Sequence, residues 1–457
     1  MTRAGNPKLR ALEAFPVEQE GQRCVALRDP AGYTDQIAVL PPALLDLVSL
    51  FDGDHSVEEI QEILRGRHGK APTAKQIADV VEQFDAAGFL ESDRFRERRR
   101  ALEDAFRRSP VRPAAHAGGA YAGDAVELEA QIDGFFAASD GPGAGVNGDF
   151  SAVSCDFSGL SRDFSAVSRD FSAVNRDFSG VNRNFFTDPV ASPSAAAPQT
   201  RVRALIAPHI DFHRGGSTYA WAYREILERS DADLYVVLGT CHAGMPDPFA
   251  VTLKPYDTPL GAVPVDREFY DGLARRAGQD LLASEPAHRA EHSIEFQAVM
   301  LQHVVGRRRP FAILPVLASY LHESLWSGGA PDADPRIMRF VDALRETMAA
   351  SGRRVCLVAG VDLAHVGPRF GDREPNTAAS LARVERDDRA MLESVVGGDA
   401  RGFYAGVAAD HDARRICGLS PIYTLLRLLP EAPGRLVRYT QWSDPEGAVT
   451  FCAVTFP

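Results

Sequence analysis

The sequence predicts an α/β protein built on a mixed sheet covered by helices, preceded by a small α+β unit and a low-complexity linker. Three observations carry this. From Arg201 onward, apolar runs of strand length alternate with stretches of helical spacing. The last two runs, Arg435–Trp442 and Val449–Phe456, follow one another with no helix between them, as antiparallel neighbours do. Upstream, residues 111–200 are dominated by Pro, Ala, Gly and Ser and separate this region from a shorter patterned one.

The chain has 457 residues, enough for two or three domains, and we divide it into 8–98, 99–200 and 201–457. Its net charge of −12 gives no global basic field for nucleic acid or membrane, and no apolar run approaches the length of a membrane span. The N-terminus has no apolar signal-peptide core. Six cysteines are scattered without a CxxC pair, which fits a reducing cytoplasm. The expected location is therefore cytoplasmic.

In the first unit, Cys24–Arg28 and Gln36–Leu40 read as short strands, and Leu44, Leu45, Leu47, Val48 and Leu50 give the following segment a helical apolar face. Asp52-Gly53-Asp54 breaks it. Ser56 with Glu59 forms a capping-box pattern ahead of Ile60 and Leu64. Thr73 opens a third helix that ends at Gly88. That helix is acidic, whereas phosphate contacts require Lys and Arg, so nucleic acid is not the expected partner. Residues 93–110 carry seven arginines interleaved with acidic residues, which reads as a solvated helix face.

Within 111–200, Phe150, Phe157, Phe164, Phe171, Phe178 and Phe185 recur every seven residues, with Val153, Leu160, Val167, Val174 and Val181 three further on. This is a helical-seam spacing, but the intervening Ser, Asn, Gly and Asp are poor helix formers, so a low-complexity linker is expected.

Beyond Arg201, the strand candidates are Val202–Ala207, Leu234–Gly239, Gly261–Val265, Phe311–Leu317, Val355–Gly360 and the final pair. Helix candidates are Gly215–Glu228, Arg267–Ala277, Ser293–Val305, Pro335–Ala350, Ala378–Val396, Ala400–Val407 and Pro421–Leu429. Polar residues gather where these elements meet. APHIDFH supplies His209, Asp211 and His213; LGTCHAG supplies Cys241 and His242. AEHSIEFQ supplies Glu291, His292 and Glu295, AGVDLAH supplies Asp362 and His365, and RRICG supplies Cys417. In an open α/β sheet such points converge on one crevice. A lone histidine at a strand end is more often structural than a ligand, and His213, His288, His303, His322 and His411 are read as surface or packing residues. Cys356 and Cys452 lie in apolar strands and read as core.

Five of these motifs, in order (APH, LG…H, EHSIE, D-x-x-H before G-x-RF, and ICG-x-x-PI), resemble the Memo family, protein B of the AmmeMemoRadiSam system, over residues 200–457. That family is similar in fold to the class III extradiol dioxygenases. The resemblance implies a metal site on His209, His242 and Cys417, with Asp362, His365, His292 and Glu295 as catalytic residues around it. Two imidazoles and a thiolate suit copper, with iron and zinc as alternatives. On this reading, Asp362 orients His365, Glu295 fixes the His292 tautomer, and the helix mouth at Cys417 favours its thiolate. Cys241 is the alternative thiol. The LFDG…SVEEI…AGFL layout of residues 8–98 resembles the PqqD-like winged-helix module, which implies a peptide or protein partner, with a radical SAM system as candidate.

The implied function is a metal-dependent, redox-active Memo-like protein. Two other readings compete with it: a non-catalytic peptide-binding module on the same scaffold, and an Fe(II) extradiol-type dioxygenase, against which Cys417 speaks. Two positions depart from the family pattern: Asp211, where Gly is common, and Cys241, where a small polar residue is common.

Overall fold

The computed structural model describes residues 6–19, 21–143, 201–429 and 433–457; the phenylalanine repeats at 149–186 lie outside them. Strands β1 (Glu13–Gln19), β2 (Gln22–Arg28) and β3 (Ala38–Leu40) form a separate antiparallel sheet in sequential order. Helices Pro42–Val48, Val57–His68 and Ala74–Ala87 pack with it around Leu47, Phe51, Ile60, Ile77, Phe84 and Phe89. Ser56 and Glu59 make the reciprocal capping box the sequence predicts, and Gly69 ends that helix in the left-handed conformation. The arginine-rich stretch is the helix Asp93–Arg108. Arg96 pairs with Asp93, Arg99 with Glu103 and Arg107 with Asp104, which is the internally neutralised surface expected of it.

The second sheet has eight strands. These are β4 (Ala204–Ala207), β5 (Leu234–Thr240), β6 (Phe249–Val251), β7 (Ala312–Ala318), β8 (Val355–Gly360), β9 (His365–Val366), β10 (Arg435–Asp444) and β11 (Gly447–Phe456). Their order is β10-β11-β4-β8-β5-β7-β6, with β9 paired to β11. The centre, β4-β8-β5-β7, is parallel and buried on both faces, which is why those runs are apolar without alternation. Both flanks are antiparallel. Helices cover the two faces: Ser293–Leu301 lies in one apolar cluster and Leu419–Leu428 in the other. Every residue of Ser293–Leu301 is buried, the polar Ser293, Glu295 and Gln297 included.

The register places the site. Ala207 pairs with Gly360, and Gly239 pairs with Gly360 on its other side. Three neighbouring parallel strands therefore end at one level, and the next residues of each carry His209, Asp362 and His242.

Two expectations are corrected. Gly261–Val265 forms only single bridges, Val263 to Tyr256 and Val265 to Ile313. The stretch 111–143, expected to be linker, packs against the main sheet. Helix Ala125–Ala137, capped by Asp124, sends Leu128, Ile132 and Phe136 into the same core as Leu205 and Tyr219. The signal was present as a cap followed by apolar residues at spacing four, but the Ala- and Gly-rich residues before it masked it.

His288, read as a packing residue, is fully buried. It accepts from or donates to Tyr256 Oη at 2.9 Å and meets the Ala250 carbonyl at 3.0 Å. Burial pushes its pKa down to about 3. Because the folded value lies below the unfolded one, the contribution is present above about pH 6.5 and is lost as the pH falls toward 3. Urea stability is expected to fall across that window by about 1.4 kcal/mol per pH unit from this group. His288→Gln should flatten the profile there, and an unchanged slope would refute the assignment.

Candidate metal centre

His209 follows β4, and its loop is held from several sides. Its Nδ1 is 3.0 Å from the Gly360 carbonyl, and its backbone N–H donates to Asp362 Oδ1 at 3.0 Å. Tyr219 Oη donates to the Ile210 carbonyl, and Gln297 Nε2 donates to that of Pro208. A carbonyl only accepts, so Nδ1 of His209 carries the proton and Nε2 carries the lone pair. His242 follows β5; its backbone N–H and Nδ1 both meet Glu291, at 2.9 and 3.0 Å. His292 stands just before the helix Ser293–Leu301, with Nδ1 3.4 Å from Glu291 Oε1. One nitrogen from each of His209, His242 and His292 lies within 4.8 Å of the others. The rings of His242 and His292 stack at 4.6 Å, and His209 meets them edge-on at 4.9 and 5.1 Å.

For two of the three rings the electrostatics favour the neutral imidazole that a metal requires. Burial, reinforced by His242, pushes the His209 pKa well down. Burial does the same to His292, against the pull of Glu291. Burial would lower His242 too, but the Glu291 carboxylate overrides it and raises the value. Glu291 itself is held well below the usual range despite its burial, by His242, His292 and the Ser293 N–H. An ionised carboxylate thus sits behind two of the three rings, an arrangement that orients metal-binding histidines and raises their basicity.

Cys417, expected beside His209 and His242 as the third ligand, lies with Sγ 3.2 Å from His209 Nε2 and 3.4 Å from the Asp362 carbonyl. The third member of the cluster is His292. Without a metal, burial and then Asp362 push the Cys417 thiol far up, so the helix that begins at Leu419 does not by itself make it a thiolate. Cys241 packs in an apolar cluster with Val237 and Ile294, and burial raises its thiol.

Asp362 does not hold His365. Its Oδ1 accepts from the His209 and Ile210 N–H groups, while His365 Nδ1 meets the Leu363 carbonyl at 3.1 Å. Burial raises Asp362 to about 6, and burial lowers His365. Glu295 does not touch His292. Its carboxylate takes the Arg112 guanidinium, the Tyr121 hydroxyl and the N–H groups of Ala115 and His116. Asp211, the departure in the first motif, is paired with Arg214. Sequence reading missed Arg112 and His116, whose only local signal is an Arg and a His in a Pro-Ala-Gly stretch.

Two glycines let the strands and the helix meet. A Cβ on Gly360 would lie 2.5 Å from the Ser293 carbonyl, and one on Gly239 would lie 2.5 Å from Ser293 Oγ. Gly360→Ala should therefore push the His292 helix off the strand ends, at a cost of about 1–3 kcal/mol. Urea unfolding would measure it; a cost below about 0.5 kcal/mol, the range of ordinary surface changes, would contradict it.

Imidazoles at the ends of two parallel strands that flank a third, joined by one at a helix start and backed by a carboxylate and a backbone carbonyl, define an α/β protein with a histidine crevice able to hold a metal. Residues 183–454 match the family model described as Memo-like protein, and the chain belongs to that family. A MEMO1 family protein of Aquifex aeolicus is 24% identical over 455 residues, covering 98% of this chain and 99% of its own. One from Thermus thermophilus is 23% identical over 384 residues, 84% of this chain and 93% of its own. One from Methanosarcina mazei is 28% identical over 255 residues, 54% of this chain and 82% of its own. The Aquifex alignment spans the N-terminal unit as well as the main sheet. No helix among the described residues is long and apolar enough to cross a membrane.

Proposed function

We propose that this protein is a metal-dependent oxidoreductase whose crevice holds copper on His209, His242 and His292, with the Cys417 thiol as a further donor at His209. The observation that carries the reading is the commitment of Nδ1 on His209 and His242 to Gly360 and Glu291, which leaves Nε2 as the ligating nitrogen of each, that of His209 beside the Cys417 thiol. Imidazoles with a nearby thiol suit copper and zinc; of the carboxylates near the cluster, Glu291 is engaged by His242 and Ser293, and Asp362 Oδ2 stands 3.8 Å from His209 Nε2. The third imidazole, His292, and the thiol beside His209 speak against the two-histidine, one-carboxylate iron set of the ring-cleaving reading. Bound copper would supply one-electron chemistry. The chain's own part is to orient three imidazoles, exclude water with Ile210 and the buried strand ends, and manage protons through Asp362 and His365. Asp362 is suited to this because burial brings its carboxyl to about 6, near working pH.

The N-terminal unit would present a peptide or protein partner to this crevice. Support comes from where it docks: Arg289 donates to the Ala31 carbonyl and lies 4.9 Å from the Tyr33 ring centroid, two residues before Glu291. Metal analysis of protein reconstituted separately with copper, zinc and Fe(II), combined with oxygen-consumption and peptide-binding assays, tests the proposal. It expects about one copper per chain, held more tightly than the other two. Absence of stoichiometric metal under all three conditions would overturn it.

A further inference from the structure

His116 reaches the histidine cluster from a stretch that lies upstream of the matched residues 183–454. The segment from Arg112 to Tyr121 is fastened to the helix Ser293–Leu301 through one carboxylate. Glu295 accepts from the N–H groups of Ala115 at 3.2 Å and His116 at 3.0 Å, from the Tyr121 hydroxyl and from the Arg112 guanidinium. Arg112 in turn donates to the carbonyls of His288 and Glu291 at 2.9 and 2.6 Å. His116 Nε2 lies 2.9 Å from the Ala290 carbonyl, so that nitrogen carries the proton. This fixes the ring edge-on to His292, with centroids 5.6 Å apart at 71°, and edge-on to Phe296 at 5.9 Å and 84°. His292 is therefore flanked by His242, His209, His116 and Phe296.

We propose that His116 is a positioning residue that sets the plane of the His292 imidazole, so that the crevice is assembled from chain segments on both sides of residues 144–200. Its catalytic meaning rests on the metal reading above, but its geometry does not, and the two are separable by experiment. In the full-length metal-free protein at fixed pH, the two-bond 1H–15N signals of the His292 ring can be assigned by their loss in His292→Gln. They should move in His116→Ala, stay near their wild-type positions in His116→Phe, which keeps an edge contact, and stay fixed in His68→Gln on the far unit. In cobalt(II)-substituted protein, His116→Ala should shift the d–d bands and weaken binding about 10-fold, the lower end of what an outer-shell residue of a metal site is worth. If the wild type takes no cobalt, the metal reading fails while the ring signals still decide the positioning role. His292 signals that stay unmoved in His116→Ala, or that move as far in His116→Phe as in His116→Ala, would overturn it. Should His116→Ala fail to fold, the comparison of His116→Phe with wild type decides: His292 signals held in place support the role, and displaced ones refute it.

Discussion

His209→Ala is expected to weaken metal binding by more than about 100-fold, beyond the loss that any outer-shell substitution causes. The ring sits at the junction of both donor types, facing His242 and His292 on one side and the Cys417 thiol on another. It is also the most enclosed of the three, at 2% exposure against 27% and 28% for the His242 and His292 side chains. His292→Ala and Cys417→Ala then separate the two candidate third ligands. The structure groups His292 with the other imidazoles, so His292→Ala should approach the His209→Ala loss, whereas Cys417→Ala should cost less and change mainly metal preference, away from the softer ions. Titration with a competing chelator would measure all three. A loss on Cys417→Ala equal to that of His209→Ala, with His292→Ala near wild type, would restore the His-His-Cys set that the motifs implied. Near-wild-type binding in His209→Ala would dismiss the site altogether.

Glu295→Ala should destabilise the fold by about 3–5 kcal/mol, the loss expected when one partner of a buried ion pair is removed. Both side chains are completely shielded from solvent. The change strands the Arg112 guanidinium in the interior and releases the Ala115, His116 and Tyr121 donors together. The double variant Arg112→Met, Glu295→Leu removes the unpaired charge and should recover part of the loss, the remainder reflecting the Ala115, His116 and Tyr121 donors that stay unpaired. Urea unfolding of the single and double variants would measure both effects. A single-variant cost below about 1 kcal/mol would mean that the pair is hydrated, against its observed burial. The pair is structural first, but it fastens the same helix that begins after His292, so its loss should be felt at the crevice too.

The positions of the candidate residues were legible because each marks a change of local pattern. His209, His242 and Asp362 follow apolar runs, and these runs are β4, β5 and β8 in the structure. His292 and Cys417 precede helices whose starts the sequence placed within two residues. The capping-box pattern at Ser56 and the helix-opening Thr73 marked helix starts in the first unit by the same kind of short-range chemistry. Roles were less legible than positions. Glu295 was read from its spacing as the partner of His292, one turn away, but its side chain turns to a segment 183 positions upstream in Arg112. Cys417 was expected as a thiolate from its helix mouth, but in the metal-free protein burial and Asp362 raise its thiol.

The sequence by itself determined the α/β class, most strand and helix limits of the main sheet, and the set of side chains gathered at one end of it. Periodicity, capping and turn chemistry act within a few residues, so a linear reading can find them. Only the tertiary structure decided which of those side chains meet. It put His292 in the cluster, set Cys417 against His209 across 208 positions, and brought His116 in from a stretch read as linker. Those outcomes depend on strand register, on which nitrogen each ring has already spent on a neighbour, and on how deeply each charge is buried. None of these quantities has a local signature, because each is fixed by partners that arrive from elsewhere in the chain.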